Sequence, residues 1–213
     1  MRPALFRDLG IVGALLVLLA SILVVAPRGL EPTIPGSTVK LIVGNGHGSA
    51  VHIGNGFLIT AAHVVRGGDP GVILDDGSKQ AAHVLWANNE HDIALVRTDS
   101  TMASARMDCR VASAGERVSM RGNPAALDFV TAHGRVAGKE TSVGPWKRVL
   151  PIDGTIVMGM SGGPVFADDG RLIGINVGVL VAPINGMFPS LTGFGFIVPA
   201  SAVCDLLAWS AIA

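Results

Sequence analysis

Three short strings hold residues whose types and order could carry acyl-transfer chemistry: Thr60-Ala61-Ala62-His63-Val64-Val65, His91-Asp92-Ile93-Ala94-Leu95-Val96 and Gly159-Met160-Ser161-Gly162-Gly163-Pro164. A serine hydroxyl is a weak nucleophile at neutral pH, so a neighbouring imidazole must take its proton as it attacks an acyl carbon. Ser161 would be that nucleophile and His63 that base. An ionised carboxylate, here Asp92, would hold the ring in the correct tautomer and stabilise its positive charge. The tetrahedral intermediate carries negative charge on the former carbonyl oxygen, where a tight glycine turn can aim backbone N–H groups; Gly159 and Ser161 would supply them. The order His, Asp, Ser excludes the esterase arrangement in which the acid and the histidine follow the serine.

Other readings of the polar residues are weaker. His47, His52, His83 and His133 lack the paired spacing with cysteines or carboxylates that a zinc site needs, so no metal and no cofactor is expected. His91 reads as a bystander. Gly44-Asn45-Gly46-His47-Gly48 lacks the Lys and Ser/Thr that would follow in a phosphate cradle, and reads as a loop between strands.

These strings resemble those of the trypsin-like serine peptidases, and the bacterial HtrA/Deg type more than the digestive type. Gly54-Asn55-Gly56-Phe57-Leu58-Ile59-Thr60, Arg121-Gly122-Asn123-Pro124, Leu172-Ile173-Gly174-Ile175-Asn176 and Gly195-Phe196-Ile197-Val198-Pro199 extend the resemblance over roughly residues 38 to 204. It implies an all-β, chymotrypsin-like fold of two six-stranded antiparallel β-barrels with a C-terminal helix, hydrolysing peptide bonds of protein or peptide substrates through an acyl-enzyme. It implies a side-chain pocket built from Thr155, Ile156, Val177 and the segment Gly193 to Phe196, including Phe194, and a substrate strand running along Gly174, Asn176, Val177 and Gly178. Asp153 is the nearest carboxylate but is offset from the pocket base, so cleavage after small or medium aliphatic residues is expected. Met160 departs from the pattern, standing where the Deg type has asparagine and the digestive type aspartate. Activation by a salt bridge to a new N-terminus is therefore not expected, and a latent or noncatalytic binding and sensing domain is the alternative. A PDZ domain is not expected.

The elements that must position these residues are legible as short apolar runs broken by turn residues. The first set is 38–44, 50–54, 56–60, 71–75, 79–87 and 93–97, with Asp75-Asp76-Gly77 as a hairpin turn. The second is 110–113, 116–122, 128–137, 147–152, 163–167 with 171–177, and 193–198, with Asp168-Asp169-Gly170 as another. His63 and Asp92 fall in a first barrel, 38–108, and Ser161 in a second, 109–213, so the cleft between them is the expected site. Val203, Leu206 and Leu207 have helical spacing and predict a packed helix over Pro199 to Trp209.

The chain has 213 residues, with Lys plus Arg equal to Asp plus Glu at 16 each, and no basic run; nucleic acid is excluded as an expected partner. There is no tyrosine, so the core must come mainly from Val, Ile, Leu and Ala. Leu9 to Ala26 is an uninterrupted run of apolar and small residues that as a helix would nearly cross a hydrocarbon core. With Arg2 and Arg7 before it and Arg28 after, it reads as an uncleaved transmembrane anchor over 9–26. A cytoplasmic tip, 1–8, would precede it, and a linker, 27–37, would lead to a periplasmic or extracellular catalytic part. Cys109 and Cys204 are the only cysteines; such a compartment allows a disulfide, and two buried thiols are the alternative.

Overall fold

The computed structural model describes residues 36–99, 101–184 and 188–210. The expected anchor, its tip and all of the linker except Gly36 and Ser37 lie outside those residues. The chain forms β1 (Thr38–Val43), β2 (Gly46–Gly54), β3 (Phe57–Thr60), β4 (Gly71–Ile73), β5 (Lys79–Asn88) and β6 (Ile93–Thr98), which close a barrel in the order β1-β2-β3-β6-β5-β4. It continues with β7 (Arg117–Gly122), β8 (Val130–Val136), β9 (Thr141–Val143), β10 (Trp146–Gly154), β11 (Pro164–Ala167), β12 (Leu172–Ile184) and β13 (Phe188–Pro199). These form a sheet in the order β13-β12-β11-β7-β8-β10-β9, and pairing of β13 with β10 closes six of the strands into a second barrel, with β9 as an appendage on β10. The fold is all-β, two six-stranded antiparallel barrels followed by a C-terminal helix, α1 (Ala200–Ser210).

The uninterrupted apolar runs of the central strands follow from burial on both faces, since successive strand residues point to opposite sides. In β6, Ala94 and Val96 face the interior of the first barrel while Ile93 and Leu95 join a second cluster. In β13, Ile197 lies inside the second barrel, and Phe196 and Val198 join that same cluster. This shared cluster also takes Val51 and Ile59 from the first barrel, and Phe166 and Val177 from the second. It is the interface that fixes one barrel against the other. Val203 of α1 is buried in it, and Leu206 and Leu207 pack against it, as their spacing predicts.

Two strand expectations are corrected. Residues 110–113 form no strand: the Arg110 guanidinium binds Asp108 and Glu116, and Glu116 Oε2 also accepts the Ser113 N–H at 3.1 Å. The backbone is thereby folded into an ion-paired turn. β9 was not expected; Val143-Gly144-Pro145-Trp146 turns the chain into a small hairpin that carries Trp146. Runs 163–167 and 171–177, taken together in the sequence reading, are the separate strands β11 and β12, so each barrel still has six. Cys109 and Cys204 form a disulfide that ties the segment between the barrels to α1.

Candidate active site

His63 stands on a short 3-10 turn, Ala62–Val65, at the end of β3, and Asp92 immediately precedes β6, the strand paired with β3. Pairing places the two side by side. Asp92 adopts φ 55°, a left-handed conformation that aspartate tolerates better than most residues. Its carbonyl accepts the Ala62 N–H at 3.1 Å, Oδ1 accepts the His63 N–H at 2.9 Å, and Oδ2 meets His63 Nδ1 at 2.7 Å. An ionised carboxylate only accepts, so Nδ1 carries the proton and Nε2 is left as an acceptor. The Asp92 side chain is 6% exposed. Desolvation, the largest influence on it, pushes the carboxyl upward. The hydrogen bond and charge of His63, the Trp146 indole N–H and the His63 backbone N–H together outweigh it and hold the group below the usual carboxylate range.

The turn before Ser161 is closed by the Met160 N–H donating to Val157 O at 3.1 Å, with Gly159 at φ 93°. A side chain at 159 would meet Asn123 O and His47 Nε2, so only glycine fits this conformation here. Met158 O accepts the Ala125 N–H at 3.2 Å and Met160 O accepts the Gly163 N–H at 2.9 Å. Across a trans peptide the N–H points opposite to its carbonyl, so the Gly159 and Ser161 N–H groups face away from these partners. The Met160 side chain is buried inside the second barrel, and the turn is formed around it.

The sequence reading did not single out Ser49, whose role is visible only in three dimensions. Its N–H donates to Ser161 O at 2.8 Å and its hydroxyl to Gly159 O at 2.8 Å. The same hydroxyl accepts the Asn123 N–H and Asn123 Nδ2–H, each at 3.0 Å. Asn123 O in turn receives His47 Nε2–H at 3.0 Å. Ser49, from the first barrel and held by Asn123 of the second, thus braces both ends of the turn that carries Ser161. His63, Ser161 and Gly159 line one open cleft of about 400 Å³, whose other walls include Val43, His47, Val64 and Met158.

Residues 48–175 match the family model described as a trypsin-like peptidase domain. The chain belongs to that family. This trypsin-like domain is 32% identical over 154 residues to a "Probable periplasmic serine endoprotease DegP-like" of Brucella suis biovar 1 (strain 1330), a match covering 69% of this chain and 29% of that protein. It is 31% identical over 159 residues to "Protease Do-like 1, chloroplastic" of Arabidopsis thaliana, covering 70% of this chain and 35% of that protein. The chain thus spans about a third of the length of these curated relatives. The crystal structure of the Rv3671c protease in its inactive form has the same fold, with TM-score 0.72 and 22% identity over 84% of this chain and 92% of that one.

Within this trypsin-like domain, the eight residues expected to touch substrate do not line the cleft that holds Ser161. Ile156 is buried in the second barrel, its side chain packed on Gly195, where an added Cβ would collide with it. Val177 is buried in the interface between barrels. Asn176 gives its backbone to the turn that carries Ser161, its N–H to Gly163 O at 2.9 Å and its O to the Gly162 N–H at 2.7 Å. Gly174 pairs with Pro199 and Gly178 with Phe196 on β13. Thr155 and Gly193 open instead on a separate cavity of about 520 Å³, beside Arg117, His133 and Arg135. Phe194 is 41% exposed. Local strings singled out His63, Asp92 and Ser161; the walls around them depend on how β1, the 3-10 turn and the second barrel meet, which no string records.

Proposed function

We propose that this chain is a serine endopeptidase that hydrolyses peptide bonds of proteins through Ser161, His63 and Asp92. The observation that carries this reading is the His63–Asp92 pair at 2.7 Å, whose His63 lines the same cleft as Ser161. Ser161 Oγ attacks the substrate carbonyl carbon as its proton passes to His63 Nε2, and the carbonyl π pair moves onto oxygen. The Gly159 and Ser161 N–H groups stabilise that oxyanion. The oxyanion then re-forms the carbonyl, the amine leaves with the proton from His63, and an acyl group remains on Ser161. Water, deprotonated by the same imidazole, releases the acid and restores the serine.

Cleavage after small or medium aliphatic residues rests on the offset of Asp153, the nearest carboxylate, from Ser161. A catalytic part outside the cytoplasm is supported by the Cys109–Cys204 disulfide and by the relatives named as periplasmic endoproteases. Attachment to a membrane rests on the apolar run Leu9 to Ala26 alone. The test is digestion of an unfolded protein by the full chain: the wild type cuts it, and Ser161→Ala, with unchanged circular dichroism, loses several orders of magnitude of turnover. Comparable cutting by the alanine variant would sink the assignment.

A further inference from the structure

Trp146 stands on β10 of the second barrel, yet its indole Nε1–H donates to Asp92 Oδ2 at 3.0 Å. This is the oxygen that receives the His63 Nδ1 proton. Oδ1 is held by the His63 backbone N–H, within the first barrel. The carboxylate is therefore fixed from both barrels, and the second barrel supplies Ser161 as well as the indole. Several contacts build the indole's position. Its six-membered ring lies against Gly178, where any Cβ would overlap Cη2 and stand 2.7 Å from Cζ2. The Phe196 ring lies 5.8 Å away between centroids, tilted by 38°. Val143 of the β9–β10 hairpin is its strand partner.

We propose that Trp146, seated on Gly178, is a positioning residue that sets the Asp92–His63 pair of the first barrel against Ser161 of the second; this rests on the catalytic reading of those three residues. An indole N–H donates only, so the arrangement requires Oδ2 to act as acceptor for both neighbours and keeps the carboxylate ionised and oriented. A hydrogen bond to an ionised acceptor is about twice as strong as a neutral one, which makes this contact an effective register between barrels. The other titratable groups nearby are engaged elsewhere. Glu90 pairs with Lys147 at 2.7 Å, and the His91 ring places Nδ1 3.4 Å from Asn88 Oδ1.

The experiment uses the full chain and a fluorophosphonate probe, reading the limiting rate of serine phosphonylation, the half-saturating probe concentration and the pH dependence. Trp146→Phe keeps a ring but removes the donor. The limiting rate should fall about tenfold with half-saturation changed less than about twofold, as for an interaction that matters in the transition state. The acid limb of the rate profile should move to higher pH, because a carboxylate with one donor fewer is a stronger partner for the imidazolium. Gly178→Ala should reproduce both effects by displacing the indole, and the double variant should add little to either single one. In the wild type, the indole Nε1–H resonance absent from Trp146→Phe should shift as His63 titrates. A wild-type rate and acid limb in a folded Trp146→Phe would overturn the proposal. Should the variant fail to fold, an indole resonance insensitive to His63 titration would overturn it instead. Labelling of Ser161→Ala at the wild-type rate would refute the catalytic reading, a separate result from either of these.

Discussion

Replacing Ser49 by alanine removes one buried oxygen and three hydrogen bonds, one of them to the turn that carries Ser161. The Ser49 hydroxyl is the partner of Gly159 O at 2.8 Å, of the Asn123 N–H at 3.0 Å and of Asn123 Nδ2 at 3.0 Å, and both residues are fully buried. Asn123 Nδ2 retains Val39 O at 3.3 Å, so two groups, the Asn123 N–H and the Gly159 carbonyl, are orphaned. A buried group left unpaired costs about 1–3 kcal/mol, which puts the expected loss of stability at about 2–4 kcal/mol once a water takes the vacated space. Loss of a whole oxyanion donor costs about 10²–10³ in rate, and a turn freed at one of its two braces should lose about tenfold. Urea unfolding followed by tryptophan fluorescence gives the first number and fluorophosphonate labelling the second. Ser119→Ala, which removes only a surface hydroxyl bonded to His133, serves as the control and should stay within about 0.5 kcal/mol. A Ser49→Ala variant within about 0.5 kcal/mol of wild type that also labels within about twofold would refute the brace.

Because Asp92 is held below the usual carboxylate range, its bonds stabilise the fold above the ordinary pKa, and that contribution is lost as pH falls through the lowered value. The stability difference between wild type and Asp92→Asn should therefore shrink on acidification below about pH 4, and a constant difference would contradict the assignment. Cys109→Ser with Cys204→Ser opens a loop spanning 95 residues and should lower stability by about 4–5 kcal/mol in chemical unfolding, whereas an unchanged midpoint would show that the bridge does not constrain the unfolded chain.

The strings around His63, Asp92 and Ser161 stood out because the chemistry proposed for them demands particular neighbours around each, and those neighbours are contiguous in the chain. The two barrels were legible because strands buried on both faces leave unbroken apolar runs such as Ile93–Val96 and Phe196–Val198. Contacts between distant segments were not. Trp146 is 54 residues from Asp92, and Ser49 is 110 from Gly159 and 74 from Asn123, so each partnership exists only after the barrels dock. Residues 110–113 misled because Val111 and Ala112 look strand-like while the ion pairs of Arg110 with Asp108 and Glu116 fold the segment into a turn. Met160 looked able to deform the turn before Ser161, yet a long apolar side chain has room inside the barrel, and the turn hydrogen bond from its N–H is kept.

The central claim, that Ser161 is a nucleophile activated by His63, is tested most directly by covalent labelling of the full chain with a fluorophosphonate, followed by mass spectrometry of the modified peptide. The account predicts a single phosphonyl adduct on Ser161 in the wild type, and its loss in both Ser161→Ala and His63→Ala. An unlabelled Ser161 in the folded wild type, or an adduct formed equally well without His63, would contradict it.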